Sequence, residues 1–254
     1  MELSESAAKE LKPFGFDFVQ IDDYWQQGKR RKGPAKVFLE HNPQGPYPNG
    51  MKGPAEQIAA LGLEPGLWFM PFAGDQEDPW FADKQDWFAK RADGSAYFCS
   101  WGGGALDQTH PAVQAYLSNL VHRIVHEWGY SYLKMDGMWM GTATKQTYVN
   151  NGYIANDDLG VPTVHDPKQT PIEAYRNGLK LIRQAAGRDT FILGCCVSQN
   201  MRSFAGTFGL VDAMRIGPDN GGNWNSIKVG PWHSANRYFL HGRVWWNDPD
   251  PAYV

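Results

Sequence analysis

Two runs in this chain carry side chains that could do covalent chemistry: Tyr-Leu-Lys-Met-Asp-Gly-Met-Trp at 132–139 and Asp-Ala-Met-Arg-Ile-Gly-Pro-Asp-Asn at 212–220. Each is a short apolar stretch that turns polar toward its C-terminal end, at Asp136 in the first and Asp219 in the second. In a chain that alternates strands with helices, such positions lie on the loop-bearing face of an α/β barrel. Two carboxylates there can divide one reaction. One attacks as a nucleophile while the other gives and takes a proton, the division of labour a retaining glycosidase needs. Lys134 lies two residues before Asp136, so on a strand both side chains point to the same side and the ammonium helps keep the carboxylate ionised. Arg215 precedes Asp219 by four residues, with a Gly-Pro turn between them that can lift the carboxylate off the strand.

The elements that must position these groups follow from hydrophobic periodicity and turn residues. Residues 4–11 read as a short helix and 16–21 as a strand ending in Asp22-Asp23-Tyr24-Trp25, followed by a Gly/Pro/Lys-rich loop. A helix over 54–61 leads to a strand over 66–72, whose end Pro71 marks. The stretch 73–105 is too long for a simple connector and is expected to decorate the active face. Pro111 opens a helix through Val113, Leu117, Leu120, Val121 and Ile124, with Thr109 as its expected cap. A strand at 130–135, a polar insertion at 141–170, a helix at 171–186, and strands at 190–195, 212–216 and 243–246 complete the pattern. This cadence predicts parallel pairing and a (β/α)8 TIM-type barrel. An open doubly wound sheet is disfavoured, because no Gly-x-Gly-x-x-Gly turn opens a helix and polar residues end many different strands.

Composition narrows the partner. The 254 residues suffice for one barrel domain, and a formal net charge of −3 gives no electrostatic footprint for nucleic acid. No run of 18 apolar residues suggests a membrane span. The expected partner is a neutral small molecule, and the 11 tryptophans suit the apolar faces of a sugar, although Trp80, Trp87 and Trp128 read as core. Cys99, Cys195 and Cys196 make no disulfide framework and are expected to stay unbridged. The first residues carry neither a basic patch nor an apolar core, so no signal peptide is visible and cytoplasm is the default location. His110, His122, His126 and His233 read as solvated or capping residues, and Asp248 and Asp250 as shaping a Pro-centred turn.

Four motifs then converge: Ile-Asp-Asp-Tyr-Trp (21–25), Leu-Lys-Met-Asp-Gly (133–137), Arg-Ile-Gly-Pro-Asp (215–219) and Trp-Asn-Asp-Pro-Asp (246–250). In order and spacing the chain resembles the α-galactosidase/melibiase superfamily, glycoside hydrolase families 27 and 36, over nearly its whole length. The resemblance implies Asp136 as nucleophile and Asp219 as acid/base. It implies that Arg215 contacts the sugar near its 2-hydroxyl, that Asp22 and Asp23 accept hydrogen bonds from the 4- and 6-hydroxyls of galactose, and that Trp25 and Trp68 form stacking walls. Lys134 would hold sugar hydroxyls, and Cys195 and Ser198 lie at the strand end where the 2-substituent is sensed. Two departures stand out: residues 69–72 lack an acidic pair found in family 36, and Met138 replaces a cysteine common in family 27.

The resemblance also implies eight strands, of which six are visible here, matching the family's second to seventh. Residues 1–254 are therefore expected to form a single catalytic barrel domain truncated at both ends, with open edges that favour self-association. The expected activity is that of a retaining exo-α-glycosidase, foremost an α-galactosidase, working through a covalent glycosyl-enzyme with no cofactor and no metal. The alternatives are an α-N-acetylgalactosaminidase or another α-glycosidase of the clan, and a non-catalytic sugar-binding barrel. A divalent metal held by Asp22, Asp136 and Asp219 is the competing use of these carboxylates, against which the neighbouring Lys134 argues.

Overall fold

A computed structural model describes residues 2–31, 33–99, 101–142, 161–195 and 199–250. Six parallel strands form one sheet: β1 (Phe18–Ile21), β2 (Glu64–Phe69), β3 (Tyr132–Met135), β4 (Phe191–Gly194), β5 (Ala213–Arg215) and β6 (Trp246–Asp248). Their order in space is their order in the chain. Helices α1 (Lys52–Ala60), α2 (Pro111–His122) and α3 (Pro171–Ala186) connect the first four strands. A 3-10 turn at Ala205–Thr207 precedes β5, and short helices at Trp224–Ile227 and Gly230–Asn236 precede β6. Among the described residues β1 and β6 do not pair with each other, so the sheet is an incomplete barrel wall with two edges. No helix among the described residues is long and apolar enough to cross a membrane.

Alternation along the strands sorts the side chains. In β3, Leu133 and Met135 are buried outward against the helices, while Tyr132 and Lys134 point to the interior. At the N-terminal end of the interior the rings of Phe18, Tyr132 and Phe191 meet with centroids 5.4 to 5.6 Å apart, forming an aromatic floor. Gly66 lies in register with Tyr132 and leaves room for its ring. On the outside, α2 contributes Val113, Leu117, Leu120 and Val121 to the core, and α3 begins with a reciprocal cap between Thr170 and Glu173.

Several expectations shift. Residues 4–11 divide into an α-turn at Glu2–Ser6 and a wider turn at Ala7–Leu11. The cap of α2 is His110, whose Nδ1 accepts from Ala112 N at 3.1 Å, because the cap must directly precede Pro111 and the Thr109 hydroxyl is bonded to Asp107 instead. The sixth strand moves from 243–246 to Trp246–Asp248: Gly242, at φ 68°, turns the chain, and its N–H closes a bend on the Trp245 carbonyl at 2.9 Å. The stretch 73–105 is an elaborated loop, with Ala73–Gly74 paired antiparallel to Gly104–Ala105. The loop after β1 holds a second small ribbon, Gln26–Gln27 with Val37–His41.

The floor generates a stability prediction. A Cβ at Gly66 would meet the Tyr132 ring, and that ring is wedged between Phe18 and Phe191. Gly66→Ala is expected to destabilise the fold by about 1–3 kcal/mol, read as a lower midpoint in denaturant unfolding.

Candidate active site

Asp22, Asp136 and Cys195 are the first residues beyond β1, β3 and β4, so all three emerge at the same end of the barrel wall. Asp136 is held from two sides: Oδ2 accepts from Trp68 Nε1 at 3.1 Å and Oδ1 from Gly137 N at 2.7 Å. Gly137 adopts φ 63°, and a Cβ there would lie 2.6 Å from Met70, so the turn after the carboxylate requires glycine. Desolvation pushes the Asp136 carboxyl above the usual carboxylate range. The Trp68 and Gly137 hydrogen bonds and the Lys134 charge pull it back, and the negative charge of Asp219 adds to the upward push. Asp136 lies just beyond β3 and Asp219 four residues beyond the end of β5.

Lys134 Nζ donates to Asp22 Oδ2 at 2.9 Å. Burial alone would lower its proton affinity, but Cys195, Asp22 and Asp136 outweigh it and hold the ammonium above its ordinary value. Asp22 also accepts from Gln20 Nε2 at 2.6 Å and from Asp23 N at 2.9 Å. Arg215, at the end of β5, has a side chain only 4% exposed. Its Nη2 lies 2.7 Å from Asp219 Oδ1 and 2.7 Å from Asp250 Oδ2, and its Nη1 lies 3.7 Å from Cys195 Sγ. Asp219 reaches outward, its side chain 78% exposed.

The predicted site residues divide accordingly. Asp22, Lys134, Asp136, Cys195, Arg215 and Asp219 converge. Asp23 does not: its Oδ1 accepts from Tyr24 N, Gln26 Nε2 and Arg30 Nη1 at 2.7 to 2.9 Å, so it braces its own loop. Trp25 is not a stacking wall. Its ring is completely buried, edge-on to Trp128, with Nε1 bonded to the Trp68 carbonyl at 2.8 Å. Trp68 is also buried, packed against Phe38, and gives the site its Nε1 hydrogen in place of an open face. The physical reason is the left-handed backbone at Tyr24, φ 90°, which turns the chain so that Trp25 points into the core. Ser198 and Cys196 lie outside the described residues. Among those described, no three side chains of metal-binding type come together, so Asp22, Asp136 and Asp219 do not form such a group.

Two residues at this face escaped the sequence reading. Asp250 was explained by its Pro-centred turn, yet it shares a guanidinium with Asp219. Trp101, left-handed at φ 63°, stacks on Trp139 with centroids 5.7 Å apart, and its ring edge approaches Gly137. Its only signal was a tryptophan set before three glycines.

The family model for melibiase matches residues 2–152. The chain belongs to the melibiase family. Among solved structures, this melibiase-family chain is similar to TtGalA, the α-galactosidase of Thermus thermophilus. In the complex with stachyose, identity is 26% and the TM-score 0.68, covering 100% of this chain and 51% of that one. In the complex with p-nitrophenyl α-D-galactopyranoside, identity is 26% and the TM-score 0.66, covering 99% and 48%. The chain thus spans about half the length of the Thermus enzyme. An α-galactosidase from Lactobacillus brevis shares the fold at 16% identity and a TM-score of 0.57, over 78% of this chain and 24% of that one.

The Asp136 environment has a measurable cost. A carboxyl whose folded pKa lies above its unfolded value of about 3.9 binds its proton more tightly when folded, so it loses stability as pH rises through that range. Asp136→Asn removes the buried charge. The variant is expected to melt higher than the parent at pH 7, with the difference shrinking toward pH 3, as followed by thermal denaturation across pH.

Proposed function

We propose that this chain carries the catalytic face of a retaining exo-α-glycosidase acting on terminal α-galactosides. The observation that supports the reading is the placement of Asp136 and Asp219 just beyond β3 and β5 of one parallel sheet, with Lys134 two residues before the first and Arg215 Nη2 2.7 Å from the second. Asp136, steadied by Trp68 and Gly137, attacks the anomeric carbon as the glycosidic bond breaks, and exposed Asp219 gives its proton to the departing oxygen. Asp219 then takes a proton from water, which attacks the same carbon and releases the sugar with retained configuration and Asp136 as carboxylate. Asp22 and Lys134 form a donor and acceptor pair suited to sugar hydroxyls, with Asp23 bracing the loop behind them. Ser198 stays a proposed contact to the 2-substituent. Cys195, buried beside Arg215, is proposed to adjoin the 2-substituent of the sugar.

The residues 1–254 are proposed to act as one unit whose open edges make it self-associate. Phe14 and Phe16 just before β1 and Trp246 on β6 are exposed apolar groups near the two strands that end the sheet. Sedimentation at increasing concentration is expected to show oligomers, and a concentration-independent monomer would refute this part.

The decisive experiment uses activated and unactivated α-galactosides. Asp136→Ala is expected to abolish turnover, and added azide should restore part of it by attacking the vacated face, giving the β-galactosyl azide. Asp219→Ala is expected to lose about 100-fold or more on melibiose and far less on the nitrophenyl galactoside, whose leaving group departs unprotonated. Sugar binding without turnover by the parent chain would favour a non-catalytic barrel.

A further inference from the structure

We propose that Asp250 is a positioning residue for Asp219, holding the turn that carries it through Asn220 and Arg215; this rests on reading Asp219 as the proton donor. Asp250 is a non-glycine residue at φ 76°, an uncommon conformation that persists where surrounding contacts demand it. The left-handed turn sends its carboxylate back toward β5. There Oδ2 accepts from Asn220 N at 2.5 Å and lies 2.7 Å from Arg215 Nη2. Asp250 is itself fixed, since its N–H donates to Asp248 Oδ1 at 2.9 Å.

Three further contacts fasten the same two turns. Ile216 N donates to the Asp248 carbonyl at 2.8 Å, carrying the β5–β6 pairing up to the Gly-Pro turn. Asn220 Nδ2 donates to the Pro249 carbonyl at 3.2 Å. A Cβ at Gly217 would come within 2.8 Å of that carbonyl, so only glycine lets the turns approach so closely. Asp219 thus sits on a segment anchored on both sides, with its own carboxylate open to solvent.

The shared nitrogen matters as much as the turn. Arg215 Nη2 meets both carboxylates, but the Asp250 side chain is 14% exposed and that of Asp219 is 78% exposed. A buried ion pair is screened less than an exposed one, so Asp250 sets where the guanidinium lies and Asp219 follows it. Desolvation raises the Asp250 carboxyl, and the Asn220 hydrogen bond and the Arg215 charge pull it back.

The test compares the parent chain with Asp250→Gly, which removes the carboxylate and relieves the backbone, and with Asp250→Asn, which is nearly isosteric and tolerates the left-handed region. Asp250→Gly should lower kcat on melibiose about 100-fold and on 4-nitrophenyl α-galactoside less than about fivefold, with KM little changed on either. Asp250→Asn should fall between, and it stands in if the glycine variant does not fold. Amide hydrogen exchange at Asn220 should quicken in both variants while the amides of α3 stay as in the parent. Equal losses on the two substrates would overturn the proposal, as would unchanged exchange at Asn220. A parent chain that turns over neither substrate would instead overturn the glycosidase reading, and exchange at Asn220 would still decide whether Asp250 holds the turn.

Discussion

A lysine ammonium drawn inside a wall of parallel strands must be met by negative or polarisable groups, and this requirement organises the upper half of the molecule. Lys134 finds them on three strands, in Asp22 after β1, Asp136 after β3 and Cys195 after β4. Arg215 repeats the arrangement one strand further on, joining β5 to β6 through Asp219 and Asp250. Burying these charges opposes stability unless each is compensated, because desolvation is expensive in the interior. The aromatic floor supplies no charge at all. The interior is therefore divided along the strand axis, with stability concentrated in rings at one end and polar chemistry in compensated charges at the other.

This division explains what could be read in the sequence. Strands β2, β3 and β4 were legible because each is a short apolar run bounded by turn residues, and the two-residue period placed Lys134 with Asp136. The six-strand cadence and the polar strand ends were enough for the barrel wall. Trp25 was misread because an aromatic beside aspartates resembles a sugar wall, and nothing local shows that Tyr24 reverses the backbone before it. Asp250 was missed for a related reason. Its Pro-centred turn accounts for it locally, while its partners lie 30 and more residues away on another strand.

The two halves of the site also differ in what relates them to known proteins. The melibiase match over residues 2–152 takes in Asp22, Lys134 and Asp136, so the floor and the proposed nucleophile lie within or beside the part that the family describes. Arg215, Asp219 and Asp250 fall beyond it and rest on the structural likeness to the Thermus α-galactosidase and on their own geometry. The continuous parallel sheet, in which β4 pairs with both β3 and β5, is what unites the halves physically.

Because the strands stand side by side in the order in which they are made, each new strand emerging from the ribosome meets a finished neighbour. Paired residues across the sheet nevertheless lie 20 to 66 residues apart, because each parallel step needs a crossover, and such non-local pairing is slow to form. The Asp22–Lys134 pair can close as soon as β3 is in place. The clasp on Arg215 closes only once β6 lies beside β5, so the two charge clusters depend on different pairs of strands.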